Sequence, residues 1–332
     1  MKAEYNGEQV LLGAEGKSLY DQGGYGRPDK NGLKLSPEEA LYLLGRNKIE
    51  VKGHSFESLF AAFTEESDFL RKFLVYRDIR ERGYVIQSGP HDFRVFRRGE
   101  KPGTGRSQYL MRVLSERDLV DFGKFAEEAQ TARNMRKQFL LAVADDEDEI
   151  TYYEIKTSDP QKGECEPELP KISGKIFGKS VLISIPPESI FEEKLFGTRF
   201  DKERLMLSPV EAIYLIRKGF LELDEKISPE DYYKKIEDGD HEFELKSKSY
   251  AHLRDLWHIP RTAYKFGHHF RVYSGSKKHS ELLVHALSSD KTMPMSVISR
   301  SVRLAHSVRK KMLFACVSKD MIKYIEFARI KL

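Results

Sequence analysis

The sequence has few cysteines, no long apolar run and no apolar segment near its first residue. Two cysteines, Cys165 and Cys316, are too few for a disulfide framework or a four-cysteine zinc site. No stretch approaches the ~20 consecutive apolar residues that a membrane-spanning helix requires. The first ten residues, MKAEYNGEQV, lack the apolar core of a signal peptide. These absences predict a cytoplasmic protein that does not insert into a membrane.

Charge and length restrict the function less strongly. A net charge of +4 is compatible with a nucleic-acid partner but does not require one. The 332 residues are enough for two domains of ordinary size. No group of His, Cys, Asp and Glu has the spacing of metal ligands, so neither a metal nor another cofactor is expected.

An internal repeat is the clearest feature of the chain. Residues 33–51 read LKLSPEEALYLLGRNKIEV, and residues 205–223 read LMLSPVEAIYLIRKGFLEL. In both segments a serine, Ser36 or Ser208, precedes a proline that suits the first position of a helix. Glu39 and Glu211 follow their serines by three residues and complete a capping box. The two segments therefore predict two equivalent helices.

Two further matches extend the repeat. HDFRVF at 91–96 corresponds to HHFRVY at 268–273, and NMRKQFLLAV at 134–143 corresponds to SVRKKMLFAC at 307–316. The three matches keep their order at offsets of 172, 177 and 173 residues, which indicates a duplicated unit. We expect a first repeat at 1–157 (subdomains 1–70 and 71–157), a proline-rich linker at 158–171, and a second repeat at 172–332 (subdomains 172–245 and 246–332).

The predicted fold class is mixed α/β, as two tandem repeats. Each repeat would hold a small helical and β N-terminal part and a mixed-sheet, nuclease-like C-terminal part. Apolar patterns predict strands at 93–97, 139–144, 151–155, 270–273, 312–317 and 322–327. Helices are predicted at 122–136 and 296–310.

The last third of the chain resembles a known enzyme family. FGHHFRVY at 266–273, KHSELLV at 278–284 and SVRLAHSVRKKMLFA at 301–315 are similar to the catalytic domain of archaeal tRNA-splicing endonucleases. LSPVEAIYL and VYRDIRERGYVIQSG resemble other parts of this family. The resemblance covers almost all of both repeats and is closest to the subclass that acts as a homodimer. One departure is His258-Ile259-Pro260, where the family has a glycine after the helix.

The family's catalytic triad corresponds to Tyr273, His279 and Lys310. The resemblance implies that His279 is the general acid, and a histidine can carry a proton near neutral pH. Tyrosine is mostly protonated at that pH, so Tyr273 would act as a base only if cations such as Lys310 favour its ionised form. Otherwise Tyr273 would mainly position the substrate. Without the resemblance, the three would be an exposed loop histidine, a strand aromatic and a cation at a helix end.

The first repeat departs from this triad. Phe96, Arg106 and Lys137 stand at the corresponding places, although the loop holding Arg106 aligns loosely. A phenylalanine has no hydroxyl group, and an arginine does not give up a proton usefully. We expect the first repeat to be folded and catalytically silent.

Further residues are implied to bind RNA or a second copy of the chain. In the family, two arginines hold an unstacked base between their guanidinium planes, and Arg303 and Arg329 are the candidates here. Arg303 would share a helix face with His306 and Lys310, at spacings of three and seven residues. An acidic loop of a silent unit docks on the partner chain in the family. The matching run is Asp145, Asp146, Glu147, Asp148 and Glu149, which otherwise would be a solvated hairpin loop.

The implied activity is metal-independent removal of introns from precursor tRNA at bulge-helix-bulge motifs. A ribose 2′-hydroxyl would attack the adjacent phosphate and leave a 2′,3′-cyclic phosphate and a 5′-hydroxyl. One alternative is a non-catalytic RNA-binding or structural subunit that requires a catalytic partner. Another is a metal-dependent DNA nuclease, for which residues 266–316 offer only Glu281 and Asp290 as carboxylates.

Overall fold

A computed structural model describes residues 1–160, 162, 168–185, 189–224, 227–274 and 279–332. The chain forms two compact units. The first unit comprises Met1–Lys156, Thr292–Arg300 and Phe327–Leu332, and the second comprises Thr157–Lys291 and Ser301–Glu326. Part of the predicted linker, 161 and 163–167, lies outside the described residues. The bounds of the four predicted subdomains stay a prediction.

The N-terminal part of the first repeat combines a five-stranded sheet with three helices. Its sheet has the order β3-β4-β2-β1-β5, in which β1 is antiparallel to β2 and parallel to β5. The elements are β1 Lys2–Tyr5, β2 Val10–Leu12, α1 Lys17–Gly23, β3 Arg27–Asp29, β4 Gly32–Leu35, α2 Pro37–Gly45, β5 Glu50–Val51 and α3 Phe56–Phe63.

The C-terminal part of the first repeat is a mixed sheet that packs against helices. Its strands run in the order β6-β7-β8-β10-β11, with β8 and β10 parallel. Phe139, Leu140, Leu141 and Ala142 of β10 are all buried, as expected for a central parallel strand. The elements are α4 Phe69–Glu81, β6 Ile86–Ser88, β7 Phe93–Phe96, β8 Ser107–Ser115, β9 Leu119–Asp121, α5 Phe122–Asn134, β10 Gln138–Ala144 and β11 Ile150–Ser158.

The second repeat has the same order of elements. Its first sheet has the order β14-β15-β13-β12-β16, and its second contains β17-β18-β19-β21-β22. The first part holds β12 Ile172–Phe177, β13 Ser180–Ser184, α6 Ile190–Glu193, β14 Thr198–Arg199, β15 Arg204–Leu207, α7 Pro209–Arg217, β16 Leu221–Leu223 and α8 Pro229–Glu237. The second holds α9 Phe243–Asp255, β17 His258–Ala263, β18 His268–Ser274, β19 Leu282–Ser288, β20 Thr292–Pro294, α10 Met295–Ser307, β21 Lys311–Val317 and β22 Ile322–Ile330.

The predicted fold class is confirmed, and each predicted strand is found. The two helix caps also form as expected. The Glu39 carboxylate accepts the Ser36 backbone N–H at 3.0 Å, and the Glu211 carboxylate accepts the Ser208 backbone N–H at 2.8 Å. Both carboxylates are buried, and burial raises the pKa of Glu39. No helix in the described part of the chain is long and apolar enough to cross a membrane.

Candidate active site

Tyr273, His279 and Lys310 meet at one end of the second repeat's mixed sheet. Val272 of β18 pairs with Leu282 of β19, which in turn pairs with Lys311 of β21. Tyr273 directly follows Val272, Lys310 directly precedes Lys311, and His279 lies three residues before Leu282. Because β19 runs antiparallel to β18 and parallel to β21, all three residues lie at the same sheet end. Tyr273 is half-buried, His279 is exposed, and residues 275–278 between them lie outside the described part.

The turn after α10 fixes the position of Lys310. The N–H of Lys310 donates to the carbonyl of Ala305 at 2.8 Å, and the N–H of Arg309 donates to that of His306 at 3.0 Å. These two bonds form a Schellman motif, with Arg309 in the left-handed conformation at φ 56°. The predicted helix at 296–310 is therefore too long, since α10 ends at Ser307.

This turn also corrects one detail of the predicted RNA-binding face. Lys310 lies beyond the end of α10, so it does not continue a line of Arg303 and His306 along one helix face. The Lys310 Nζ instead donates to the carbonyl oxygen of Ser280 at 2.6 Å. That bond places the lysine beside the residue that follows His279.

An open cleft of about 1290 Å³ adjoins His279 and Lys310. Residues that line it are His279, Ser280, Glu281, Leu282, His306, Ser307, Arg309, Lys310 and Lys311, so three cations face one carboxylate. Partial burial lowers the pKa of Lys310, and the positive charges of Arg271 and Lys265 lower it further. The site thus concentrates positive charge next to a histidine, which suits a phosphate-containing ligand.

The strand register identifies the corresponding places in the first repeat. Val95 pairs with Tyr109 and Tyr109 with Gln138, as Val272 pairs with Leu282 and Leu282 with Lys311. Counting from these pairs places Phe96, Arg106 and Lys137 where the second repeat has Tyr273, His279 and Lys310. The register of β7 and β8 shifts between Val95 and Phe96, so the count from Tyr109 to Arg106 crosses an irregularity that the described residues of β18 and β19 lack.

Lys137 has a structural role in the first repeat. Its N–H donates to the Ala132 carbonyl at 2.8 Å within a second Schellman motif, and its Nζ donates to the hydroxyl of Ser107. Phe96 is buried, with 4% of its surface exposed. The first repeat therefore keeps the scaffold of the site, while a buried phenyl ring and a guanidinium replace the phenol and the imidazole.

The two predicted RNA-binding arginines are both exposed. Arg303 lies on α10 in the second unit, and Arg329 lies near the end of β22 in a segment assigned to the first unit. Their pairing on an RNA base stays a prediction.

The acidic loop at 145–149 joins β10 to β11, and all five residues are exposed. Asp145 organises it: one carboxylate oxygen accepts the N–H groups of Glu147 at 3.0 Å and Glu149 at 2.9 Å. Asp146 forms an ion pair with Arg117. Glu147, Asp148 and Glu149 form no ion pair with the described residues, so three carboxylates remain available on a fixed loop.

Two features of the site were missed in the sequence. The Arg271 guanidinium carbon lies 5.8 Å from the centre of the Tyr273 ring, and its charge lowers the pKa of Lys310. The sequence did not single it out, because an arginine stands at this place in both repeats. Trp257 adopts φ 63° after α9, where the first repeat has Gly83 at φ 86°. The glycine that the resemblance predicts after this helix is replaced by a tryptophan without loss of the left-handed turn.

Comparison with known proteins agrees with this arrangement of repeated domains. The family described as "tRNA intron endonuclease, N-terminal domain" matches residues 1–60 and 172–233. The family described as "tRNA intron endonuclease, catalytic C-terminal domain" matches residues 69–152 and 243–324. Both repeats thus contain both domains, including the repeat that lacks the tyrosine and the histidine.

Similar full-length proteins carry a consistent name. The chain is 38% identical to a protein of Methanococcoides burtonii and 37% identical to one of Methanosarcina acetivorans, over 100% of each chain. It is 34% identical to a protein of Natronomonas pharaonis over 97% of each chain. All three are named tRNA-splicing endonuclease. The chain therefore belongs to the tRNA intron endonuclease family, as its sequence motifs predicted.

Proposed function

We propose that this protein excises introns from precursor tRNA, with its active site at Tyr273, His279 and Lys310. The observation that supports the proposal most directly is the position of these residues at one sheet end, where His279 and Lys310 line a cationic cleft. The names of the similar proteins support the same substrate class.

The proposed reaction is an internal transfer of the phosphate ester. The 2′-hydroxyl oxygen attacks the adjacent phosphorus and gives its proton to a base, for which Tyr273 is the candidate. The bond from phosphorus to the 5′-oxygen breaks, and His279 donates a proton to that oxygen. Lys310 stabilises the extra negative charge on the phosphate oxygens. The products carry a 2′,3′-cyclic phosphate and a 5′-hydroxyl.

No metal ion is required for this scheme, because the acid and the cation are side chains of the chain itself. His279 is exposed and precedes β19, so a bound RNA strand can reach its imidazole. Lys310 is held by the Schellman turn and by Ser280, which limits its movement and suits a preorganised charge. Cytoplasmic location stays a prediction.

The proposed assembly is a homodimer that reads a bulge-helix-bulge motif. Each chain would supply one active site, and two sites related by symmetry would match two cleavage points. The loop at 145–149 is the proposed contact with the partner chain, because Glu147, Asp148 and Glu149 present three carboxylates without an ion-pair partner among the described residues. Arg303 and Arg329 are the proposed groups that hold a bulged base.

The decisive experiment follows a labelled, intron-containing precursor tRNA in excess EDTA. Wild type should produce cyclic-phosphate and 5′-hydroxyl ends. The His279→Ala variant should lose a factor of roughly 10²–10⁴ in single-turnover rate, the usual contribution of a general acid. Arg106→Ala is the matched control, since Arg106 occupies the same place in the first repeat, and it should cleave like wild type.

The alternatives lead to different results. Cleavage that requires added magnesium would contradict the metal-independent mechanism and indicate a metal nuclease. RNA binding without cleavage under either condition would indicate a non-catalytic subunit. Equal losses in His279→Ala and Arg106→Ala would show that the histidine has no special chemical role.

A further inference from the structure

Arginines occupy equivalent places next to both triad sites, but their surroundings differ. Arg94 on β7 pairs across the sheet with Gln87 on β6, and Arg271 on β18 pairs with Arg261 on β17. Side chains that are directly opposite on antiparallel strands lie on the same sheet face and interact. The first arginine thus faces a neutral amide, and the second faces another guanidinium.

In the first repeat, Gln87 binds the arginine. Gln87 is buried, and its amide nitrogen donates to the carbonyl oxygens of Gly24 at 3.1 Å and Gly26 at 2.9 Å. Its amide oxygen accepts a hydrogen bond from an Arg94 terminal nitrogen at 3.0 Å. A glutamine can do both because it carries donors and an acceptor. Arg94 is therefore occupied within its own repeat.

In the second repeat, Arg261 replaces Gln87 and makes the equivalent backbone contacts. It donates to the carbonyl oxygens of Leu195 at 3.0 Å and Gly197 at 2.5 Å, and to the Glu211 carboxylate at 3.5 Å. A guanidinium has five donors and no acceptor. Arg261 can therefore replace the donor role of Gln87 but not its role as acceptor for the neighbouring arginine.

The Arg271 side chain consequently forms no hydrogen bond or ion pair with the described residues. Its Nε is buried without a partner, as is the Nε of Arg94, so the difference between the repeats lies in the terminal nitrogens. The Arg271 guanidinium carbon lies 5.8 Å from the centre of the Tyr273 ring. Its charge is close enough to Lys310 to lower the pKa of that lysine. The remaining donors are thus next to two of the three triad residues.

We propose that Arg271 binds a non-bridging oxygen of the phosphate that is cleaved. The half-buried guanidinium has no acceptor among the described residues, and a phosphate supplies acceptors in the planar fork geometry that guanidinium prefers. The Tyr273 ring adjoins the guanidinium, whose charge lowers the pKa of Lys310. The like charges of Arg261 and Arg271, directly opposite each other, are unfavourable in the free protein. An anion bound at Arg271 would offset that repulsion. This inference rests on the proposed RNA-cleaving site.

The test compares Arg271→Gln with Arg94→Gln, the same change at the equivalent place in the first repeat. Single-turnover cleavage of precursor tRNA should fall by roughly 10²-fold or more in Arg271→Gln, the usual loss for one donor to a transition-state oxyanion. Arg94→Gln should retain the wild-type rate. Arg271→Lys should recover only part of the loss, because an ammonium group lacks the fork geometry. Thermal unfolding midpoints of all variants check that they are folded.

A substrate with sulfur in place of one non-bridging oxygen at the cleavage site tests the contact itself. One of the two diastereomers should be cleaved more slowly by wild type than the normal substrate, and the ratio of the two rates is the sulfur effect. This ratio should shrink toward one in Arg271→Gln, because both changes remove the same contact. An undiminished sulfur effect for both diastereomers would overturn the proposal even if the rate falls. Failure of the active site as a whole is distinguishable, since His279→Ala would then cleave at the wild-type rate. Loss of cleavage in His279→Ala together with a normal rate in Arg271→Gln would overturn the assignment of Arg271 alone.

Discussion

Lowering the pH from 7.5 to 5 is expected to destabilise the second unit through a cluster of three histidines. The rings of His269 and His285 stack with centroids 4.3 Å apart, and the His268 ring lies 5.6 Å from that of His285. Burial, reinforced by the neighbouring His285, lowers the pKa of both His268 and His269 to about 4. Burial also lowers the pKa of His285. Two nearby charges act on the pKa of His269 in opposite directions. Glu242, 3.2 Å away, raises it, and Lys246 lowers it.

The sign follows from the direction of these shifts. In the unfolded chain a histidine has a pKa near ~6.5, so it binds a proton as the pH falls while the folded cluster does not. The contribution of the neutral histidines to the free energy of unfolding is complete above about pH 6.5. It is lost progressively as the pH falls toward 4. For a single group with a folded pKa of about 4, the loss at pH 5 is about 2 kcal/mol. For His268 and His269 together the same reasoning gives about 4 kcal/mol, since the pKa of each is about 4.

The single tryptophan provides the assay. Trp257 directly precedes β17, and β17 pairs with the strand that begins at His268. Urea unfolding followed by Trp257 fluorescence therefore reports on the region of the cluster. His268→Phe keeps an aromatic ring but removes one titrating group, so its loss between pH 7.5 and 5 should be about 2 kcal/mol smaller than that of wild type. Equal pH dependences of the two proteins, or a wild type that becomes more stable at pH 5, would refute the reasoning.

Two further predictions concern the acidic loop and the helix cap. Reversing three charges with Glu147→Lys, Asp148→Lys and Glu149→Lys should convert the proposed dimer to a monomer in analytical ultracentrifugation. Asp320→Lys in the equivalent loop should not. A triple variant with the same dimeric mass as wild type counts against the proposed contact. Glu211→Ala should lower the free energy of unfolding by about 3 kcal/mol in the same fluorescence assay, because the buried carboxylate accepts the Ser208 and Gly197 N–H groups and pairs with Arg261. Glu211→Gln should lose less, and equal losses would show that the charge is irrelevant.

The parts of the fold that depend on local sequence were predictable. The helices that begin after Ser36 and Ser208 were evident because a capping box and a proline specify a helix start within four residues. The central strands β10 and β21, which follow Lys137 and Lys310, were also evident, since their apolar residues run without interruption.

Other parts required the structure because they depend on unusual residues or on pairing. The end of α10 was missed since Arg309 occupies a left-handed position that glycine usually marks. Arg271 was missed for a different reason. Its distinctive environment results from Arg261 on the neighbouring strand, which lies ten residues from Arg271 along the chain, whereas Gln87 lies seven residues from Arg94. Only the register shows that Gln87 and Arg261 are equivalent.

The comparison between repeats also determines which member of the triad gives the clearest test. Lys137 persists in the first repeat with a side-chain hydrogen bond and a Schellman turn of its own, so a lysine at this place contributes to the fold whether or not it contributes to catalysis. A loss of activity in Lys310→Ala would therefore combine both effects. Tyr273 corresponds to a buried phenylalanine, and its ring contacts Arg271, so even Tyr273→Phe alters the surroundings of a second candidate group. His279 is exposed and its counterpart is a different residue type, so its removal affects the proposed chemistry with the least effect on packing.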